Sequence, residues 1–210
     1  MASVCGIILA GGRSSRMNPA GEPPHSKARI ELAGEPLLAH VVSRLRPQVA
    51  TLLISANREL DWFRRFAAPV VVDLLPDHPG PLAGLLSGAA YLLDSGADCE
   101  WVCVAPCDGP FVPTDLVARL LEAADDTVEV ACPSFRGQLQ PTFSLWRRSA
   151  LDRPAAELMA LGTGGFKPLM SQLASVEVAW PDDGSDPFFN INSREDLLAA
   201  EALGARRAGG

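Results

Sequence analysis

Residues 3–17 read SVCGIILAGGRSSRM, and this stretch decides which kind of fold the chain can form. It begins with an apolar run of isoleucine, leucine and valine, which is typical of a strand buried on both faces of a sheet. Gly11 and Gly12 end that run, and a segment with two arginines and two serines follows directly. A buried strand that leads into a basic, glycine-containing loop predicts an α/β sheet with an anion-binding turn at its edge.

The rest of the chain alternates apolar strand patterns with amphipathic helix patterns, which predicts a mostly parallel sheet covered by helices. Four principal strands are predicted at residues 5–10, 51–56, 69–73 and 101–106. Consecutive aliphatic residues indicate that all four are buried on both faces. Shorter strands are predicted at residues 128–135, 142–146 and 176–180. The order of these patterns predicts a Rossmann-like three-layer αβα fold with a mostly parallel sheet.

Proline, glycine and side-chain caps mark where the predicted helices begin. The predicted first-turn residues and caps are Pro36, Gly80 with Pro81, Thr114 and Ser193. Acidic residues follow Ser193, in the first turn of the last helix, where the helix dipole favours negative charge.

Composition indicates an ordinary soluble globular protein. Of the 210 residues, 48% are hydrophobic and 20% are charged, and a chain of this length is expected to bury a sizeable core. No apolar run reaches the roughly 18 residues that span a bilayer. The N-terminus also lacks the basic and apolar pattern of a signal peptide. We therefore expect a cytoplasmic protein with no membrane partner.

Charge is distributed unevenly along the chain. The net charge of −7 argues against nucleic acid as a partner. Residues 1–30 hold four basic residues and one acidic residue, so their net charge is +3, which leaves −10 for the remainder. A local positive patch on an acidic body suits a small anion better than a polyanion. The alternative is a solvated loop whose charges bind nothing.

Five cysteines and three histidines offer no clear metal spacing. Cys99, Cys103 and Cys107 are spaced four residues apart, but a strand rises about 3.3 Å per residue, so neighbouring thiols would lie about 13 Å apart. One zinc ion, with bonds to sulfur of about 2.3 Å, cannot join them. An odd number of cysteines without an export signal also argues against a disulfide framework. We expect buried strand cysteines.

Polar residues follow each principal strand at the point where the strand ends. In open α/β sheets, ligands bind outside the carboxyl ends of the strands. The residues predicted to meet at this edge are Gly11, Gly12 and Arg13 after the first strand, Asn57 after the second, Asp73 after the third and Asp108 after the fourth.

The first of these loops is suited to phosphate. Gly11 and Gly12 would let backbone N–H groups approach phosphate oxygens closely. Arg13, Arg16 and Lys27 would then neutralise a triphosphate. The loop matches neither GxxxxGK[ST] nor GxGxxG, so it is not a Walker loop or a dinucleotide fingerprint.

The remaining polar residues suit a metal and a nucleoside. Asp108 could hold Mg²⁺, which usually takes one or two protein carboxylates with phosphates and waters, or it could cap the following turn. Asp73 has the same two interpretations. Asn57 could bind a base edge or a ribose, or serve as a turn residue. Gly80 and Gly84 would admit a ligand near a helix start. Together these residues predict a site for a nucleoside triphosphate and Mg²⁺, with hydrolysis, phosphoryl transfer and nucleotidyl transfer all open.

These motifs resemble those of the molybdenum cofactor guanylyltransferases. LAGGRSSRM, at residues 9–17, resembles the LAGGxSxRM loop of that family. Four later segments resemble successive motifs of the family, in the same order and at similar spacing: residues 47–58, 70–84, 105–120 and 188–197. The similarity extends from about residue 5 to about residue 200.

The resemblance implies a single nucleotidyltransferase domain that joins GMP from GTP to the terminal phosphate of the molybdopterin cofactor and releases pyrophosphate. It implies a nucleotide-binding half to about residue 110, an acceptor-side half over about residues 111–200, and Mg²⁺, or Mn²⁺ in its place, on Asp108. A molybdoenzyme apo-protein or its chaperone would be a further partner. The implied nucleotide-binding residues are Leu9, Ala10, Gly11, Gly12, Arg13, Lys27, Asn57, Asp73 and Asp108; the acceptor-side residues are Gly80, Gly84, Asn190 and Asn192; and the catalytic residues are Arg16, Lys27 and Asp108.

The chain departs from the family pattern just before Lys27. The family usually has MGxDK, whereas here Lys27 comes ten positions after Met17 and Ser26 stands where an aspartate is usual. The inserted segment, residues 18–24, is rich in proline and glycine and is predicted to be a mobile loop. Three alternatives stay open: a cytidylyltransferase of the same cofactor, a sugar-phosphate nucleotidyltransferase, and a non-catalytic GTP-binding protein that hands the cofactor to a partner. LAGG, where cytidylyltransferases usually have LAAG, favours the guanylyl donor.

Overall fold

The computed structural model describes residues 2–12, 26–74, 80–153, 155–162 and 165–208. Arg13, Arg16 and the predicted mobile loop at residues 18–24 lie outside these ranges. Within them, no helix is both long and apolar enough to cross a membrane.

The described residues form a mixed α/β structure. The strands are β1 (Val4–Leu9), β2 (Glu31–Leu32), β3 (Glu35–Pro36), β4 (Thr51–Ser55), β5 (Val70–Val71), β6 (Trp101–Pro106), β7 (Val130–Phe135), β8 (Gln138–Leu139), β9 (Leu145–Arg147) and β10 (Ser175–Ala179). The α-helices are α1 (Leu37–Leu45), α2 (Leu60–Phe63), α3 (Pro81–Asp94), α4 (Leu116–Ala123), α5 (Arg148–Leu151), α6 (Ala155–Gly162), α7 (Phe166–Met170) and α8 (Arg194–Ala208). Short 3₁₀ turns span Lys27–Arg29, Arg46–Gln48, Arg64–Phe66 and Pro141–Phe143.

The central sheet is mainly parallel, as the sequence predicts. Its strands lie in the order β10-β7-β9-β6-β1-β4-β5, with β8 paired to β7. Strand β9 runs antiparallel to both of its neighbours, β6 and β7, and β8 runs antiparallel to β7. The remaining pairs in this sheet are parallel. The predicted Rossmann-like fold class is therefore confirmed.

Four parallel strands end level with one another. The pairing places Leu9 of β1 opposite Ser55 of β4 on one side and opposite Pro106 of β6 on the other. Ser55 in turn pairs with Val71 of β5. The four adjacent strands β5, β4, β1 and β6 therefore end at the same edge of the sheet, in register with one another.

Helices cover both faces of the sheet because successive side chains of a strand point to opposite faces. In β1, Ile8 belongs to one buried cluster, with apolar residues of α1 and α4. Its neighbour Ile7 belongs to the cluster on the opposite face, with residues of α3, α6 and α7. Both side chains are fully buried. This arrangement confirms the three layers.

A third, smaller cluster attaches the C-terminal part of the chain to the sheet edge. Ile191 and Ala200 pack there with Leu32, Leu37 and Phe111. The backbone N–H of Ile191 also donates to the carbonyl oxygen of Asp108 at 2.9 Å. The segment before α8 is thereby held beside the end of β6.

Three local predictions are wrong, one about burial in the sheet and two about the residue at which a helix begins. Strand β5 is not buried on both faces: it lies at the sheet edge, and Val72 beyond it is 46% exposed. Thr114 does not cap α4, because the N-cap position falls on Asp115, whose side chain makes no capping hydrogen bond. Pro36 ends β3 and precedes the first turn of α1, instead of lying within it.

The cap of α8 agrees with the sequence. The hydroxyl of Ser193 accepts a hydrogen bond from the backbone N–H of Asp196 at 3.1 Å. The Asp196 carboxylate accepts in return from the N–H of Ser193 at 2.9 Å. This reciprocal pair satisfies N–H groups that a helix start would otherwise leave unbonded.

All five cysteines are buried free thiols, as the sequence predicts, but Cys99 and Cys107 lie just outside β6, and of the three spaced cysteines only Cys103 is a strand residue. Burial raises the pKa of Cys103 to about 12. Among the described residues, no group of three or more histidine, cysteine, aspartate or glutamate side chains could hold a metal ion.

Gly84 is a glycine for a reason that the sequence did not reveal. It lies buried in α3, and a Cβ added there would come within 2.8 Å of Ser55 Oγ and 2.9 Å of Leu9 Cδ2. The missing side chain therefore lets α3 pack closely on β1 and β4. Helix packing, and not access for a ligand, accounts for the glycine at this position.

We predict that Gly84→Ala lowers the free energy of unfolding by about 1–3 kcal/mol, because the added methyl group must displace the Ser55 and Leu9 side chains in a packed region. Each kcal/mol should lower Tm by about 2–4 °C in a chain of this size. Gly204→Ala is the matched control, since Gly204 is also helical but has no described atom near the place of its Cβ. That variant should keep or slightly raise Tm. Equal Tm values for the two variants, measured by calorimetry, would contradict this account of Gly84.

Candidate functional site

The first group of polar side chains lies beyond β4 and β5. The amide of Asn57 donates from Nδ2 to Asp73 Oδ2 at 2.7 Å and accepts at Oδ1 from the Asp73 backbone N–H at 2.8 Å. Ser55 Oγ donates to the other carboxylate oxygen at 3.3 Å. These bonds fix the orientation of the Asn57 amide and involve both oxygens of the Asp73 carboxylate.

The second group lies beyond β6, where Lys27 bridges two oxygen atoms. Its Nζ donates to Asp108 Oδ2 at 2.8 Å and to Asn192 Oδ1 at 2.5 Å. The side chains of Lys27 and Asp108 are only 16% and 15% exposed. An ion pair so shielded from water is stronger than one on an open surface.

Asn190 lies beside this second group. Its Oδ1 is buried and makes no hydrogen bond within the described structure. A Cβ built on Gly109 would lie 3.1 Å from that oxygen. Buried polar atoms are rarely left unpaired without a reason, so this oxygen is a candidate to bind a ligand or an ion.

The glycine turn after β1 lies between the two groups, because β1 lies between β4 and β6 in the sheet. A Cβ on Gly11 would lie 3.3 Å from Asn57 Nδ2, whereas one on Gly12 would have no described atom within 4 Å. Among the described residues, none packs against position 12 closely enough to require glycine, and the backbone there is not left-handed. Close approach of a ligand remains as a physical reason for it.

Residues that precede the turn have structural roles as well. Ala10 is buried, and its backbone N–H donates to Ser55 O at 2.8 Å. Leu9 packs against the core on the α3 face. Gly80 is the N-cap residue of α3, directly before Pro81.

The turn that carries Lys27 has a cap that fits its sequence. Ser26 Oγ accepts from the backbone N–H of Ala28 at 3.3 Å, and Ser26 is the N-cap of the 3₁₀ turn. Serine and aspartate are both good N-caps. Ser26 can therefore cap the turn in place of the aspartate that the family pattern has at this position.

Two residues at the site were missed by sequence analysis. Ser55 is 2% exposed and reads as an ordinary strand residue, although its hydroxyl reaches Asp73. Glu59 follows Asn57 by two positions, and its carboxylate accepts from the Ser26 N–H at 2.8 Å. The signal for Glu59 was its place in the loop that already held Asn57, a predicted site residue.

Asp108 also affects the thiol beside it. Burial, with a smaller contribution from the Asp108 carboxylate, raises the pKa of Cys107. The thiol therefore stays neutral at physiological pH and adds no charge to the site.

The structure brings most of the predicted site residues to one edge of the sheet, in the two groups joined by the glycine turn. Asn192, assigned to the acceptor from the resemblance, directly contacts Lys27. Arg13 and Arg16 lie outside the described residues. Gly84 is enclosed between helix and sheet, as described above.

The fold and the site define a nucleotidyltransferase. Polar and charged groups meet beyond the carboxyl ends of parallel strands, beside a glycine turn, where open α/β sheets bind their ligands. The chain belongs to the family of the MobA-like NTP transferase domain, whose family model matches residues 6–176.

Relatives identify the branch of that family. The chain is 42% identical over 208 residues to the molybdenum cofactor guanylyltransferase of Cupriavidus taiwanensis, and the alignment covers 95% of this chain and 96% of that protein. It is 37% identical over 202 residues to the protein of the same name from Rhodopseudomonas palustris, and that alignment covers 95% of this chain and 93% of the relative. The crystal structure of molybdopterin-guanine dinucleotide biosynthesis protein A from Archaeoglobus fulgidus has the same fold, with a TM-score of 0.75 at 21% identity, covering 96% and 99%.

We predict that Asn57→Asp lowers stability, because it places two carboxylates face to face where an amide now donates to Asp73. The expected loss at pH 7–8 is about 1–2 kcal/mol. Thermal unfolding of the variant and the wild type at that pH measures this loss.

The exchanged pair Asn57→Asp with Asp73→Asn provides the control. It keeps one amide donor, one carboxylate and every backbone hydrogen bond of the native pair, so Tm should return to within about 2 °C of wild type. Failure of the exchange to recover stability would contradict the assigned contacts.

Proposed function

We propose that the chain transfers GMP from GTP to the terminal phosphate of the molybdopterin cofactor. An acceptor phosphate oxygen would form a bond to the α-phosphorus while the bond from that phosphorus to the β-phosphate oxygen breaks. The products are the guanine dinucleotide form of the cofactor and pyrophosphate. The names of relatives about 40% identical over most of the chain support both substrates.

The observation that carries the proposal is the shielded cation–carboxylate pair of Lys27 and Asp108, beside a glycine turn where no described atom lies within 4 Å of a Cβ built on Gly12. A triphosphate needs a positive group for its oxygens and close approach of the backbone. The pair and the turn supply both at the end of the same sheet.

The donor set fits a magnesium ion. Mg²⁺ prefers carboxylate and other oxygen ligands, usually together with phosphate oxygens. Asp108 supplies the carboxylate, and the amide oxygens of Asn190 and Asn192 lie in the same region. The Asn190 oxygen is buried and has no hydrogen-bond partner among the described residues. We propose that Asp108 holds the ion, which when bound would screen the repulsion between the two phosphate-bearing substrates.

The chain's own residues would act by position and charge. Lys27 would bind oxygens of the leaving pyrophosphate as their negative charge grows, and such preorganised electrostatic groups contribute strongly to catalysis. The Asn57 amide, held by Asp73, would be fixed to bind the nucleoside. Fixing groups in advance avoids the entropy cost of ordering them during the reaction.

The two sides of the site suggest how the substrates divide. We propose that residues up to about 110 bind the nucleotide, with Leu9, Ala10, Gly11 and Gly12 at its phosphates and Arg13 and Arg16 added from the basic loop. Residues after about 110, with Asn190 and Asn192, would bind the acceptor. Gly80, the N-cap residue of α3, is also proposed on the acceptor side, because the resemblance to the family implies that role.

The first experiment measures Tm of the purified protein with GTP, CTP, UTP or ATP, each with and without Mg²⁺. A ligand at about 100 times its Kd adds roughly 2.7 kcal/mol, which should raise Tm by about 5–10 °C. We expect this shift for GTP with Mg²⁺. A larger shift with CTP would move the donor assignment to a cytidylyltransferase, and no shift with any nucleotide would contradict the proposal.

A second prediction concerns Asp108. Asp108→Asn keeps an oxygen that can accept from Lys27 but removes the negative charge, so kcat for pyrophosphate release should fall by about 10²–10³-fold. Tm should change by no more than a few degrees. Asp61→Asn is the control, because Asp61 is 90% exposed and pairs only with the neighbouring Arg64 among the contacts described. Turnover of Asp108→Asn above about a tenth of wild type at saturating Mg²⁺ would contradict the role of Asp108.

A further inference from the structure

Lys27 lies in a short 3₁₀ turn whose own hydrogen bonds are too few to stabilise it. The 3₁₀ turn Lys27–Arg29 is three residues long, too short for a helix to be stable by its own hydrogen bonds. Ala28 is buried and attaches the middle of the turn to the core. The backbone on either side of it needs further contacts if the Lys27 ammonium is to have one position.

Glu59 supplies those contacts at both ends of the turn. One carboxylate oxygen, Oε2, accepts from the backbone N–H of Ser26 at 2.8 Å. The other, Oε1, accepts from Nη1 of Arg29 at 2.5 Å. A single carboxylate therefore joins the residue before Lys27 to the residue two positions after it.

The partners of Glu59 are themselves held in place. The Arg29 guanidinium lies 5.6 Å from the centre of the Trp62 ring, on the short helix α2 that begins directly after Glu59. The side chains of Glu59 and Arg29 are 24% and 38% exposed. Charge-assisted hydrogen bonds of this kind are short and directional.

The backbone of Glu59 is in an unfavourable conformation. Its φ of 52° and ψ of 35° lie in the left-handed region, which non-glycine residues seldom occupy. Such a conformation persists only where surrounding contacts hold it, and it is common at functional sites. Here it directs the carboxylate from the loop after β4 towards the turn that carries Lys27.

We propose that Glu59 is a positioning residue for the guanylyl transfer reaction, acting by clamping both ends of the Lys27 turn. The proposal rests on the proposed function, in which Lys27 binds the leaving pyrophosphate. Because Asn57 lies on the same loop, the clamp also fixes Lys27 relative to the nucleoside side of the site. Glu59 touches no substrate in this role; it keeps the ammonium where the transition state needs it.

The kinetic test is a double-mutant cycle of Glu59→Ala and Lys27→Ala. Displacement of a catalytic group by about 1 Å can cost about 100-fold, so Glu59→Ala should lower kcat by about 10–100-fold, with KM for GTP changed by less than about threefold. In the Lys27→Ala background, the same change at Glu59 should have less than about a twofold effect, because coupled residues are not additive. Equal loss in both backgrounds would mean a general structural role and would overturn the proposal.

Two further variants keep the test informative if Glu59→Ala folds poorly. Glu59→Gln keeps oxygen and nitrogen atoms at the same place but removes the charge that pairs with Arg29, so we expect a loss of about 3–10-fold in kcat. Arg29→Met removes the other half of the clamp and should lower kcat in the same range. The control is Asp61→Ala, which removes an exposed acidic residue two positions away and should leave kcat within twofold.

A second readout needs no activity at all. The chain has two lysines, Lys27 and Lys167, and Lys167 is exposed. We expect reductive methylation, followed by mass spectrometry, to modify Lys27 several-fold more slowly than Lys167 in the wild type, because Lys27 is shielded and paired with Asp108. Glu59→Ala should bring the two rates closer, while Asp61→Ala should leave their ratio unchanged.

The two readouts separate failure of this inference from failure of the proposed function. A wild-type protein that transfers no nucleotide would contradict the proposed function, and the methylation ratio would still decide whether Glu59 positions Lys27. An active wild type with an additive cycle and an unchanged methylation ratio would overturn the clamp alone.

Discussion

Hydrogen-bonded register between four parallel strands is the constraint on which the rest of this structure depends. A strand that slipped by one residue would turn every inward side chain towards the wrong face, and both faces here are packed by buried residues. The last residues of the strands are therefore held level, and polar or glycine residues follow two positions beyond each of them. Those residues are Asp73, Asn57, Gly11 and Asp108.

The site combines groups that the chain separates widely. Lys27 and Asp108 are 81 residues apart, and Lys27 and Asn192 are 165 apart. Packing of Ile191 in the small edge cluster brings the last of these to the sheet. An acidic chain can in this way present one shielded ammonium group to an anion, although its net charge alone would repel that anion.

The loop after β4 links the two sides of the site. Asn57 faces Asp73 at the outer strand, while Glu59 reaches back to the turn that carries Lys27. The left-handed backbone of Glu59 allows one short loop to contact both Asp73, through Asn57, and the Lys27 turn, through Glu59. Asn57, which we propose binds the nucleoside, and Glu59, which we propose positions Lys27, are thus two residues apart in sequence although their side chains contact different parts of the site.

The sequence by itself determined the fold class, the principal strands and the edge at which polar residues gather, because the alternation of apolar strand segments with amphipathic helix segments is a local pattern of residue type. It also indicated the family, through motifs that keep their order and spacing. Tertiary structure alone decided that β5 is an edge strand, that Gly84 serves helix packing, and that Lys27 bridges Asp108 and Asn192. Each of these depends on which distant residue lies opposite, and a local pattern of residue types carries no information about that partner.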